Sequence, residues 1–207
     1  MPEPQSPPPI REARREEFPQ LAEVLVRAFA ADPFHLWLFP DQARRPLRQR
    51  RMFERILSIY RQYGVVYTSA DASGVALWGP PRQQGPSLAE LVAFVFRVLP
   101  VFGWRAIRIA EGMAPLANLH PEAPHWYLCI LGTDPAQQKS GVGTALLRPI
   151  LERCDEDGTA AYLEASRIEN VPYYQRFGFE IVAPLAMPRG GPVVYRMKRE
   201  ARGPRSA

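Results

Sequence analysis

The chain has 207 residues, 46% of them hydrophobic, enough to bury a sizeable core and most economically arranged as one domain. Its 26 basic against 21 acidic residues give a net charge of +5; the arginines are scattered rather than interleaved with aromatics, which argues against nucleic acid and suits a phosphorylated small ligand. No uncharged run approaches the ~20 residues that span a bilayer, because residues 88–109 are interrupted by Glu90, Arg97, Arg105 and Arg108, so no membrane partner is expected.

Residues 1–9 contain five prolines and read as a disordered tail. They lack a signal-peptide layout, and a cytoplasmic protein is the expectation. A short strand is expected at residues 10–13. Phe18, Leu21, Leu25, Ala28 and Phe29 recur at helical spacing and predict a first helix that stops before Asp32-Pro33. The segment from Asp32 to Trp37 connects it to a second helix carrying Phe53, Ile56, Leu57 and Tyr60, which ends at Gly64. The cluster Arg44 to Arg51 reads as the solvated face of that helix. Two strands at 65–68 and 75–78 flank a turn at 71–74.

Ser87 and Glu90 form a capping box for a further helix, with Leu88, Leu91, Val92, Val95, Phe96 and Leu99 as its apolar stripe. Another helix is expected over 103–117. Residues 126–131 are an uninterrupted β-prone run, as in a strand buried on both faces. A loop, a helix from Gly141 to about Cys154 and a strand at 160–164 follow; this strand–helix–strand unit predicts parallel pairing. Pro149 falls inside the helix and is expected to kink it. A short helix around Tyr173 and strands at 179–182 and 193–197 close an antiparallel end. Residues 201–207 read as a flexible tail, which leaves a single α/β domain over 10–200. Cys129 and Cys154 fit no metal or redox spacing and read as reduced core residues.

The most informative stretch runs from Leu131 through Gly132, Thr133 and Asp134-Pro135 to Gln138-Lys139-Ser140-Gly141-Val142-Gly143-Thr144. A strand ends and a helix starts among glycines, so unpaired amides and the positive end of the macrodipole face a backbone that an anion can approach. A dinucleotide fingerprint would need glycine where Leu146 stands. A P-loop would place Lys139-Ser140 after its glycine rather than before Gly141.

The stretch Gln138-Lys-Ser-Gly141-Val-Gly143 resembles the Gln/Arg-x-x-Gly-x-Gly/Ala signature of the GNAT N-acetyltransferases. A second block, from Glu169-Asn170 through Pro172, Tyr173 and Tyr174 to Gly178-Phe179, resembles the closing motif of that family. The central stretch is similar to puromycin-type antibiotic N-acetyltransferases. The resemblance implies a GNAT fold, with a mixed and partly splayed sheet flanked by helices. It implies acetyl-coenzyme A as co-substrate and no metal. By the same resemblance, amides from Gln138 to Thr144 hold the pyrophosphate, the strand end Leu131, Gly132 and Thr133 pairs with the pantetheine, and Asn170, Pro172 and Tyr173 contact the coenzyme A arm.

Acyl transfer from a thioester to an amine needs a polarised carbonyl, a neutral amine and a proton for the departing sulfur. The Leu131 N–H is the candidate oxyanion donor, and Tyr174, which the resemblance places beside the sulfur, is the candidate acid. Tyr173 competes with it, because neighbours on a helix point about 100° apart and only one can face the sulfur. Glu164, at a strand end, is the candidate base, with a structural hydrogen-bonding role as the alternative. His35, His120 and His125 are scattered in loops and read as surface or packing residues. The implied acceptor is a small or medium-sized amine, and the protein a monomer or homodimer. A non-catalytic acyl-coenzyme A sensor and an enzyme for protein N-termini or lysines are the competing readings. The aromatic stretch from Asp32 to Trp37 either lines an acceptor pocket or completes the core.

Overall fold

The computed structural model describes residues 8–81 and 119–203. The helices expected from Ser87 and Gly103, with the stripe from Leu88 to Leu99, lie outside the described residues, as do 1–7 and 204–207.

Within the described residues the elements are β1 (Ile10–Glu12), α1 (Phe18–Ala28), α2 (Pro33–Leu38), α3 (Arg45–Tyr63), β2 (Val65–Ser69), β3 (Gly74–Gly79), β4 (His125–Thr133), α4 (Val142–Asp157), β5 (Ala160–Ala165), α5 (Val171–Gln175), β6 (Glu180–Ala186) and β7 (Val193–Arg199). The strands form one sheet in the order β1-β2-β3-β4-β5-β7-β6. The pair joined through α4, β4 and β5, is parallel, as its strand–helix–strand sequence requires. The other neighbours are antiparallel.

A separate core covers each face. Leu21 and Leu25 of α1 and Phe53 and Leu57 of α3 bury Val66, Val75, Leu77 and Ile130 on one side. Leu146, Leu147, Ile150 and Cys154 of α4 bury Ala76, Trp78, Trp126, Leu128, Ala161 and Leu163 on the other. α4 runs unbroken through Pro149.

Two expectations need correction. The connection from Asp32 to Trp37 is itself a helix: Asp32 accepts from the backbone N–H of His35 at 3.0 Å as its N-cap, and Pro33 sits in its first turn. Six residues are too few for the apolar period to declare itself. The run at 126–131 is not buried evenly on both faces; buried and half-buried residues alternate along β4. It also carries a bulge. Leu77 pairs with Ile130 and Trp78 with Leu128, which leaves Cys129 without a partner on β3. Leu128 therefore faces α4 while Ile130, two residues on, faces α1 and α3. One extra residue reverses the alternation and adds twist.

Candidate active site

The bulge lies where β4 and β5 part. Their parallel rungs run from His125 opposite Ala160 to Leu128 opposite Leu163 and go no further, so the five residues from Cys129 to Thr133 form one prong of a fork. Ala165 and Ser166 end the other. Both prongs are fixed to the stretch that runs from the last turn of α1 to the start of α2. Arg27 forms an ion pair with Asp134, just past β4, at 2.6 Å. Asp32, 5% exposed, accepts a short hydrogen bond from the Ser166 hydroxyl, just past β5.

Beyond the β4 prong the loop is exposed from Pro135 to Lys139. Its shape is set from within: Asp134 accepts from the backbone N–H of Ala136 at 3.1 Å, Ser140 donates to the Gln137 carbonyl at 2.6 Å, and Lys139 holds a positive φ of 67°. Gly141 caps α4 with φ 88°, a conformation that strains other residues. It brings no capping side chain, and the first turn of this 16-residue helix carries no carboxylate. The turn of Val142, Gly143 and Thr144 thus has amides that no side chain caps, beside an open loop.

The two tyrosines of α5 separate as their helical spacing requires. The Tyr173 hydroxyl lies over the first turn of α4, where a Cβ on Gly143 would stand 2.8 Å from it and 3.7 Å from Thr133 Oγ1. Tyr174 is buried among Leu163, Ala165 and Phe179. Burial pushes its phenol pKa up, with further contributions from Tyr173 and the Asp32 carboxylate. Thr133, Gly143 and Tyr173 therefore meet at the mouth of α4, while Tyr174 feels the charge of Asp32. Leu131 packs on the α4 side, whereas Gly132 lies so close to Leu25 of α1 that a Cβ would stand 2.7 Å from it. Asn170 precedes α5 as its cap and Pro172 lies in its first turn; both are exposed.

Glu164 occupies the first β5 position past the last rung, on the face opposite Leu163 and Ala165. Its Oε2 accepts from the Tyr127 hydroxyl at 2.8 Å. Burial, followed by the Glu164 charge, raises the pKa of Tyr127, while burial chiefly pushes the Cys129 thiol up to about 12. His120 and His125, which look scattered in sequence, gather here, with ring centroids 5.5 Å apart and His120 4.9 Å from Tyr162. His35 is elsewhere, buried in α2, stacked on Phe53 and facing Gln49. Phe34 and Trp37 pack with Leu185 against Met187 and Val194 of the β6–β7 hairpin. Sequence reasoning gave no role to Ser166 or Tyr127; the only local clue was the cap-forming Asp32-Pro33, whose second acceptor oxygen Ser166 fills. Among the described residues no group of three or more His, Cys, Asp or Glu is placed to hold a metal, and no helix is long and apolar enough to cross a membrane.

The model of the acetyltransferase (GNAT) family matches residues 101–179. The chain is 29% identical over 175 residues to an uncharacterized N-acetyltransferase of Schizosaccharomyces pombe, covering 79% of this chain and 71% of that protein. It is similar to a crystal structure described as histone acetyltransferase HPA2 and related acetyltransferase from Corynebacterium glutamicum, with 28% identity, a TM-score of 0.73 and coverage of 97% and 99% of the two chains. Arylalkylamine N-acetyltransferase 2 of Aedes aegypti shares the fold, at 13% identity and a TM-score of 0.60 over 92% of this chain and 97% of its own. The chain has the fold of the GNAT structures and is an acetyltransferase. Acetyltransferases of this fold use acetyl-coenzyme A.

Proposed function

We propose that the enzyme moves an acetyl group from acetyl-coenzyme A directly to a primary amine of a small or medium-sized acceptor. The observation that carries this reading is the fork beyond the Leu128–Leu163 rung, beside a helix start with no capping side chain and no carboxylate in its first turn. That first turn fits the pyrophosphate: its amides are unclaimed by side chains, and the loop before it is open.

Bound there, acetyl-coenzyme A supplies the acetyl thioester. Amides from Gln138 to Thr144 hold the phosphates, and Leu131, Gly132 and Thr133 align the arm along the β4 prong. Asn170, Pro172 and Tyr173 close over it from α5. The Leu131 N–H donates to the carbonyl oxygen. Tyr174 holds its proton for the departing sulfur; burial raises its pKa, so the phenol is protonated at neutral pH. Glu164, at the crotch of the fork, takes the proton of the incoming ammonium. The free thiols Cys129 and Cys154 suit a reducing cytoplasm.

The test is release of free thiol from acetyl-coenzyme A across a panel of aryl, alkyl and polyamine acceptors. Amine-dependent release is expected. Tight acetyl-coenzyme A binding with no accepted amine would overturn the reading in favour of an acyl-coenzyme A sensor. Acetylation of peptide N-termini or lysines alone would overturn the small-acceptor part.

A further inference from the structure

The Glu164 carboxylate is one end of a row of proton-bearing groups. Its Oε1 faces His120 Nε2 at 3.4 Å. His120 Nδ1 lies 3.4 Å from His125 Nε2, and His125 Nδ1 lies 2.8 Å from the carbonyl oxygen of Ala123. The row runs outward, from a Glu164 side chain 10% exposed, through His120 at 28%, to an exposed contact at Ala123. It is held in place. Arg196 donates to the Leu119 carbonyl at 3.0 Å, which pins the turn carrying His120. The rings of Tyr127 and Tyr162 stand 4.6 and 4.9 Å from His120 and brace its plane.

Hydrogen-bond direction restricts where the protons sit. A carbonyl only accepts, so His125 Nδ1 carries a hydrogen and Nε2 of the neutral ring is an acceptor. His120 then donates from Nδ1, which leaves its Nε2 bare when that ring is neutral. A bare nitrogen and a carboxylate oxygen now face each other, and one proton satisfies both. The charged and titratable groups around the row are Tyr162 of β5, Tyr127 and Cys129 of β4, Arg196 and Lys198 of β7 and Tyr60 of α3.

We infer that Glu164 and His120 act together as the proton acceptor for the amine, and that His125 is the exit to solvent. This rests on the reading of Glu164 as base. In the step, one N–H bond of the ammonium breaks and its electron pair stays on nitrogen as the attacking lone pair. The proton settles between Glu164 Oε1 and His120 Nε2. His120 passes its Nδ1 proton to His125 Nε2, and the His125 imidazolium gives one proton to water. Exchange with water restores both tautomers, so one proton has left the ammonium and one has entered solvent.

The first test needs no turnover. Two-bond ¹H–¹⁵N imidazole correlations of the full chain at pH 8 should show hydrogen on Nδ1 of both His120 and His125. In His125→Phe, His120 should move its hydrogen to Nε2, toward Glu164. Hydrogen on His120 Nε2 in the wild type would overturn the arrangement. The second test is kinetic, with the best amine of the panel. His120→Gln should lower kcat/KM about tenfold or more and flatten its rise with pH, and free imidazole should restore part of the rate to His120→Ala. Unchanged kcat/KM and pH profile in His120→Gln, with Glu164→Gln impaired, would remove the relay and leave Glu164 as base. Unchanged rates in both would remove Glu164 as well.

Discussion

Gly143 and Tyr173 offer a perturbation whose sign the geometry sets. In most helices, glycine to alanine stabilises by up to about 1 kcal/mol, through lost unfolded-state freedom and better propensity. At Gly143 the new methyl would stand 2.8 Å from the Tyr173 hydroxyl, too close for either atom, while the next atoms, Tyr173 Cζ and Thr133 Oγ1, lie at an ordinary 3.6 and 3.7 Å. The half-buried Tyr173 ring must shift, so Gly143→Ala should be neutral or destabilising in the wild type. In a Tyr173→Phe background the obstructing oxygen is gone, and the same substitution should stabilise by up to about 1 kcal/mol. Urea unfolding of the four proteins should therefore give a coupling of about 1 kcal/mol. Calorimetric titration adds a second readout. If the amides of this turn hold the pyrophosphate, a methyl on Gly143 should weaken acetyl-coenzyme A at least tenfold even in the stabilised double variant. Equal stabilisation in both backgrounds would refute the contact, and unchanged affinity would refute the anion site.

Three further outcomes are expected. Tyr174→Phe should lower kcat about 100-fold or more without changing the unfolding free energy in urea by more than about 1 kcal/mol; an unchanged kcat removes its role as acid. His35 is buried, which lowers its pKa to about 4. The unfolded chain therefore binds the extra proton first, and stability should rise with pH from about 4 to about 6.5, by at most about 3 kcal/mol; a His35→Phe variant whose unfolding keeps that rise would contradict the assignment. Arg199, 3% exposed, pairs with Asp155 at 2.7 Å, so Asp155→Asn should leave a buried guanidinium without its counter-charge and destabilise by about 3 kcal/mol in urea unfolding.

Most of the architecture was legible because period and punctuation agree in this chain. Phe18 to Phe29, Phe53 to Tyr60 and the run from Gly141 each declare a helix, and apolar strands either side of the last imply the parallel pair. The glycine-capped start of α4 was legible for a different reason, since glycine placement at a helix start carries its own electrostatics. The bulge was not, because Cys129-Ile130-Leu131 reads as three apolar residues whichever way each faces, and only the pairing with Leu77 and Trp78 shows that one is extra. The cluster around Glu164 was illegible too: its members come from a turn, three strands and, through Tyr60, a helix, and no sequence period links His120 to Tyr162. Tyr173 and Tyr174 fell between, distinguishable in principle by their angular spacing but separated only once the helix was placed against α4.

The stretch from the last turn of α1 to the start of α2 holds both prongs of the fork, Arg27 on Asp134 and Asp32 on Ser166. These anchors are five positions apart, and the backbone between them is braced by Ala30 N–H to the Arg27 carbonyl at 3.4 Å and Asp32 N–H to the Phe29 carbonyl at 3.1 Å. The segment works as a spreader bar whose length sets the gap. A ligand that pushes the prongs apart strains this bar and one that draws them together slackens it, so hydrogen exchange at the Ala30 and Asp32 amides becomes a gauge of the gap's width, readable in solution for any coenzyme or acceptor added.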